Sequence, residues 1–174
     1  MKTIARFEKV SYEQFKKDLL DKFLEIEEDS VQEIYDNIKL PKRATVGSAG
    51  YDFYTPVGFV IRQGETINIP TGIRVRIEDG YFLGLYPRSS LGFKYRLQLN
   101  NTVGIVDSDY YGSNNEGHIF IKVTNDSKSS NTLVLNEGDA FAQGIFSEFF
   151  LAEEDEVTEV RDGGFGSTNN KGGI

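Results

Sequence analysis

Five short stretches carry residue types able to do chemistry. The first is GIVDSDYYG, residues 104–112. Two carboxylates, Asp107 and Asp109, stand two apart there, beside Tyr110 and Tyr111 and between glycines. On a strand that spacing puts both acids on one face, so periodicity does not choose a base between them. Pro87-Arg88-Ser89-Ser90-Leu91-Gly92 sets one guanidinium before two hydroxyls and a glycine. Such a set suits phosphate oxygens: arginine forms forked, charge-assisted bonds, and serines with nearby N–H groups add neutral donors. The plainer reading is a helix start with a surface arginine. Ser48-Ala49-Gly50-Tyr51-Asp52 joins small residues, which admit close backbone approach, to an acid able to orient metal-bound water. A turn opening a strand is the plainer reading there. In Gly138-Asp139-Ala140-Phe141-Ala142-Gln143 the glutamine interrupts an apolar strand and needs a buried partner or a ligand. Arg161-Asp162-Gly163-Gly164-Phe165-Gly166-Ser167-Thr168 places one aromatic among glycines, which suits a lid whose hydroxyls and N–H groups meet phosphate. It is not a P-loop, because no Gly-Lys-Ser/Thr follows. By composition alone it reads as a mobile tail.

The elements that must position these residues change character along the chain. Residues 3–10 alternate as a short strand. Two helices are expected between 11 and 38, with Ser11/Gln14 and Ser30/Glu33 as capping boxes. Phe15, Leu19, Leu20, Phe23 and Leu24 form one packing stripe, and Val31, Ile34, Tyr35 and Ile38 a second. Leu40-Pro41 closes the helical region. Beyond it, about ten short β-rich runs separated by Gly, Asn, Asp and Pro turns predict an all-β, jelly-roll-like barrel.

Composition excludes several functions. The 174 residues fit one domain, 39% apolar and 26% charged. Cysteine is absent and His118 is the single histidine, so disulfides, thiolate metal sites and multi-histidine zinc sites are ruled out. His118 itself reads as a structural or solvated residue. A net charge of −8 disfavours broad binding to nucleic acid, which draws on many Lys and Arg contacts. With no signal-like stretch and no run of 18 apolar residues, the chain is expected to be soluble and cytoplasmic.

In this order and at these intervals, the five stretches resemble the five motifs of the homotrimeric dUTPases. The resemblance covers about residues 39–170, and the connecting "NIPTGIRV", residues 68–75, resembles the family too. It implies a β jelly roll with an N-terminal helical insertion (11–38) and a flexible C-terminal arm (161–174). It implies a trimer whose sites combine motifs one, two and four of one subunit, motif three of a second and motif five of a third. The implied reaction is hydrolysis of dUTP to dUMP and pyrophosphate, with Mg²⁺ held mainly by the triphosphate. Asp107 then matches the water-activating base, leaving Asp109 a structural partner. Asn101, Gly104 and Val106 match the uracil-reading hairpin, and Tyr110 the aromatic that packs on deoxyribose. Tyr111 is expected to point the other way. Arg88, Ser89, Ser90 and Gln143 match the phosphate contacts, and Asp52 the acid near the metal's water shell. Phe165 matches the lid over uracil, with Arg161, Gly166, Ser167 and Thr168 toward the γ-phosphate.

The chain departs from the family at Ala140, where an arginine is usual, and in the spacing after Arg161. Residues 113–117 resemble an insertion, and with the long helical stretch they resemble phage-encoded members, some of which bind a repressor. A partner-binding role, with nucleotide occupancy gating a repressor protein, is the second expectation. A same-fold dCTP deaminase is a third, against which the intact Asp107–Tyr110 pattern stands.

Overall fold

The computed structural model describes residues 2–159. The expected contacts of Arg161, Phe165, Gly166, Ser167 and Thr168 lie outside that range. Strand β1 (Ala5–Lys9) leads into helix α1 (Tyr12–Lys22), a 3-10 turn (Glu28–Ser30) and helix α2 (Val31–Asn37). The β body then follows: β2 (Lys42–Arg43), β3 (Tyr51–Tyr54), β4 (Phe59–Ile61), β5 (Thr66–Pro70), β6 (Ile73–Ile77) and β7 (Tyr81–Pro87). A short helix α3 (Ser89–Tyr95) separates β7 from β8 (Leu97–Leu99) and β9 (Gly104–Val106). A 3-10 turn (Ser108–Gly112) precedes β10 (Phe120–Asn125), β11 (Leu133–Leu135) and β12 (Ala140–Glu148).

All described pairings are antiparallel. The largest sheet runs β2-β3-β12-β7-β9, and a second runs β5-β10-β8. Pairs β1-β6 and β11-β4 complete the body. The strands alternate as half-buried strands should: Ile73, Val75 and Ile77 of β6 face the core while Arg74 and Arg76 face outward. Phe53, Leu83, Leu85, Ile69, Ile121 and Phe141 fill the centre.

The helices are part of this core. Phe15 and Leu19 are fully buried, with Phe23, Val31 and Ile38 beside them. Leu24 is not, being 87% exposed after α1 has ended. The capping boxes are also incomplete. Ser11 Oγ accepts the Gln14 N–H at 3.2 Å, but Gln14 turns away to Asp18, and Glu116 takes the Ser11 N–H instead at 2.7 Å. Ser30 has helical backbone angles and its hydroxyl donates to the Glu27 carbonyl, because the 3-10 turn already occupies the capping position.

His118 is structural and fully buried. Its Nε2 accepts the Gly72 N–H at 2.8 Å. A backbone N–H can only donate, so this bond assigns the proton to Nδ1, which points at Asp18 Oδ2 at 2.6 Å. Burial alone would push the Asp18 carboxyl up, but the bonds from His118 and Gln14 outweigh it and hold the carboxyl below its usual range. A depressed carboxylate stabilises the fold above its unfolded value, about 3.9, and that contribution is lost as pH falls through the folded value. Wild-type protein should therefore lose urea resistance more steeply than Asp18→Asn between about pH 5 and pH 2. Parallel midpoint-versus-pH curves would refute this.

Candidate active site

The phosphate-type residues converge at one end of the largest sheet. Gln143 on β12 pairs with Asp52 on β3 and with Tyr86 on β7, so the first, second and fourth motifs lie side by side. Arg88 follows β7 directly. Its Nε stands 3.1 Å from Asp52 Oδ1, and its terminal nitrogen donates to the Ala140 carbonyl at 3.2 Å. An ion pair this exposed adds little stability, but it aims the guanidinium. Gln143 Nε2 donates to the Pro87 carbonyl at 3.0 Å, which supplies the partner a buried polar group requires. Ala140, where the family resemblance implies an arginine, contributes its carbonyl to the cluster and no side chain. A register shift between Ala140 and Ala142 sets the strand's approach to β3. Ser89 and Ser90 form the exposed first turn of α3. The helix start read from the sequence is present, with both hydroxyls exposed. Burial first, and then the Asp52 charge, push the neighbouring Tyr54 phenol up.

Gly50 is required here for space. A Cβ at this position would collide with Gln143 Oε1, the far end of a side chain able to swing away. Gly50→Ala should thus leave thermal stability nearly unchanged and displace Gln143. Turnover should fall about ten- to a hundredfold, the scale of a misplaced positioning group. Unchanged turnover would show that Gln143 does not act at the site.

A cleft of about 270 Å³ opens at the β8–β9 connection. Its origin is topological. β8 belongs to the sheet of β10, while β9 belongs to the sheet of β7, so the hairpin joining them is splayed between two sheets. Leu85, Leu99, Phe120 and Ile121 give it apolar walls, and Asn68, Asn100, Asn101 and Lys122 a polar margin. Gly104 lines it as well, whereas the Val106 side chain is turned into the core and leaves only its backbone. Among the described residues β9 is the edge of its sheet, so one side of its backbone has no ladder partner there. Apolar walls, a polar margin and an edge strand suit a flat heterocycle read along its edge.

Asp107 is not on a strand. It is the cap residue of the 3-10 turn, with extended backbone, and its carbonyl accepts the Tyr110 N–H at 3.2 Å. Asp109 lies inside the turn, so the shared strand face expected of the two acids does not exist. Tyr110 is 1% exposed, and its hydroxyl donates to the His118 carbonyl at 2.8 Å. Tyr111 does point elsewhere. Its hydroxyl donates to Glu8 at 2.7 Å, and its ring lies 3.7 Å from the Arg74 guanidinium.

Arg88 and Asp107 stand far apart within one chain. Val106 pairs with Leu83, five residues back along β7 from Arg88. At about 3.4 Å per residue that is on the order of 17 Å. Sequence reasoning also passed over Asn115, Glu116 and Asp18, whose partners sit up to 105 residues away. Only their polarity beside an aromatic turn hinted at a role. Among the described residues, no group of three or more His, Cys, Asp or Glu is placed to hold a metal ion. Among them too, no helix is long and apolar enough to cross a membrane.

Comparison with known proteins agrees with this geometry. The model of the dUTPase family matches residues 36–169. The chain belongs to the dUTPase family, and hydrolysis of dUTP is its activity. The deoxyuridine 5'-triphosphate nucleotidohydrolase of Lactococcus lactis is 41% identical over 134 residues, 75% of this chain and 88% of that protein. The dUTPase of Streptococcus mutans superposes with a TM-score of 0.62 at 34% identity, over 84% of this chain and 98% of its own. The dUTPase of Staphylococcus bacteriophage 80alpha, a protein described as controlling transfer of virulence genes, shares the jelly-roll-like fold at 18% identity. Its TM-score is 0.62, over 92% of this chain and all of that one.

Proposed function

We propose that dUTP is cleaved at its α-phosphorus by water that Asp107 deprotonates, at sites each shared between subunits of a homotrimer. The observation that carries this reading is the strand register. Arg88 and Asp107, separated by about five strand residues, lie on the order of 17 Å apart along the strands, which favours their meeting at one α-phosphate from different chains. A symmetric closed ring brings the Asp107 of one protomer to the Arg88 of the next. Arg88, Ser89, Ser90 and Gln143 grip the phosphates there. The splayed hairpin at Asn101 and Gly104, with the Val106 backbone, reads uracil, and the Tyr110 turn limits the sugar. Arg161, Phe165, Gly166, Ser167 and Thr168 close the site from the C-terminal arm.

Mg²⁺ fits this donor set only as a companion of the substrate. Asp52 has one oxygen committed to Arg88, and its other oxygen can accept a bond from a metal-bound water. The metal supplies charge neutralisation on the triphosphate. Asp52 and Arg88 orient that charge, Gln143 holds the strand end beside it, and Asp107 holds the proton taken from water. Equilibrium sedimentation together with a coupled pyrophosphate assay tests the reading. A stable monomer with full dUTP turnover would overturn the shared site.

A second reading is a phage-encoded, cytoplasmic protein that also captures a repressor. It rests on the fold shared with the bacteriophage 80alpha protein and on the segments 11–38 and 113–117. Probing capture of a candidate repressor by the full chain, with and without a nonhydrolysable dUTP analogue, would test it, and capture in neither state would overturn it.

A further inference from the structure

The turn that begins at Asp107 is clamped from behind by the segment that follows it. Asn115 is the centre of the clamp. Its Nδ2 donates to the Tyr110 hydroxyl at 2.9 Å and to the His118 carbonyl at 3.2 Å. Its Oδ1 accepts the Gly117 N–H at 3.2 Å, and its own carbonyl accepts the His118 N–H at 3.0 Å. The Tyr110 hydroxyl completes a triangle by donating to the same His118 carbonyl. Tyr110 in turn donates its backbone N–H to the Asp107 carbonyl, so a fixed Tyr110 fixes the backbone of Asp107.

Two further contacts hold the segment itself in place. Gly117 has φ +72°, and a Cβ there would come within 2.9 Å of the Tyr110 carbonyl and 2.8 Å of the Tyr111 Cα. The segment therefore lies directly on the turn's backbone, which no L side chain at this position would allow. Glu116 anchors the other side through the Ser11 hydroxyl and N–H, both at 2.7 Å. Burial alone would raise the Glu116 carboxyl, but the two Ser11 bonds and the Arg74 charge outweigh it and hold it low.

We propose that Asn115 is a positioning residue for hydrolysis, acting through the Tyr110 hydroxyl to hold Asp107 at its attacking-water geometry. This rests on Asp107 being the base. The Asp107 backbone is tied to Tyr110, and Tyr110 to Asn115, and a loss of about 1 Å at a reacting group costs on the order of a hundredfold. The buried triangle behind Tyr110 supplies the rigidity that the turn lacks.

Asn115→Asp is the discriminating variant. It keeps the Oδ1 acceptor for Gly117 and removes the donor to Tyr110, together with the longer bond to the His118 carbonyl. Tyr110→Phe removes the other end of the same bond. In the wild-type background, Asn115→Asp should lower kcat for dUTP about ten- to a hundredfold with KM changed less than threefold. In the Tyr110→Phe background the same substitution should lower kcat clearly less than in wild type, because the Tyr110 bond is already gone and only the longer bond to the His118 carbonyl remains to lose. Backbone amide exchange across residues 104–112 should quicken in nucleotide-free Asn115→Asp, a readout independent of turnover. Additive losses in the double variant would overturn the proposal, as would unchanged kcat or a rise confined to KM. If Asn115→Asp does not fold, Asn115→Ala, which has neither donor nor charge, carries the same comparison. A wild-type protein whose turnover survives Asp107→Asn would instead overturn the assignment of the base. With that assignment intact, an additive cycle overturns Asn115 alone.

Discussion

Asp107→Asn should lower kcat for dUTP by about a hundred- to ten-thousandfold while nucleotide affinity stays within a few-fold. The substitution is nearly isosteric. Asp107 caps its turn through backbone, with its carbonyl on the Tyr110 N–H, so the amide leaves the turn's backbone bonding in place. It loses the capacity to take a proton from water. The groups proposed to grip phosphate, Arg88, Ser89, Ser90 and Gln143, and the hairpin cleft are built from other elements and are untouched. A general base contributes to the transition state and not to ground-state binding, so the effect belongs in kcat. Single-turnover rates together with calorimetric titration of a nonhydrolysable dUTP analogue would separate the two. Near-normal kcat would place the base elsewhere.

Arg88→Ala should be nearly as damaging, and for a different reason. Removing one preorganised cationic donor from a phosphate site costs about a hundred- to a thousandfold. The fold should survive, because Arg88–Asp52 is a partly exposed pair at one end of the sheet, and such surface pairs contribute about 0–1 kcal/mol. The informative step is to refold Arg88→Ala and Asp107→Asn together. Each variant is inactive alone, but each carries the residue the other lacks. If a site draws Arg88 from one protomer and Asp107 from another, random mixing gives both intact residues at about a quarter of the sites. Activity near a quarter of wild type is expected. Activity at the level of the separate variants would mean that both residues act from one chain, against the separation set by the β7–β9 register.

Much of this was legible in the residues. The alternation of β6, the packing stripes of the two helices and the breaks at Gly, Asn and Pro follow from local periodicity, which depends only on near neighbours in sequence. The chemistry of each motif was legible as residue type: a guanidinium beside hydroxyls, a carboxylate in a glycine-framed hairpin. Capping was less so, because a capping box is decided by whichever partner is nearest in space. Ser11 is served by Glu116, 105 residues away, and Ser30 is pre-empted by a 3-10 turn.

By itself the sequence determined the element types, the core faces and the functional groups available, since propensity and hydrophobic period are local quantities. Tertiary structure alone decided how those groups combine. Pairing of β12 with both β3 and β7 put Gln143 beside Asp52 and next to Arg88. The assignment of β8 and β9 to different sheets opened the cleft. A 3-10 turn in place of a strand gave Asp107 and Asp109 different surroundings. The buried contacts of Asn115, Gly117 and His118 turned an apparent surface insertion into the support behind Asp107. Each of these depends on contacts between residues distant in sequence, and no local pattern encodes which distant partner a side chain will meet.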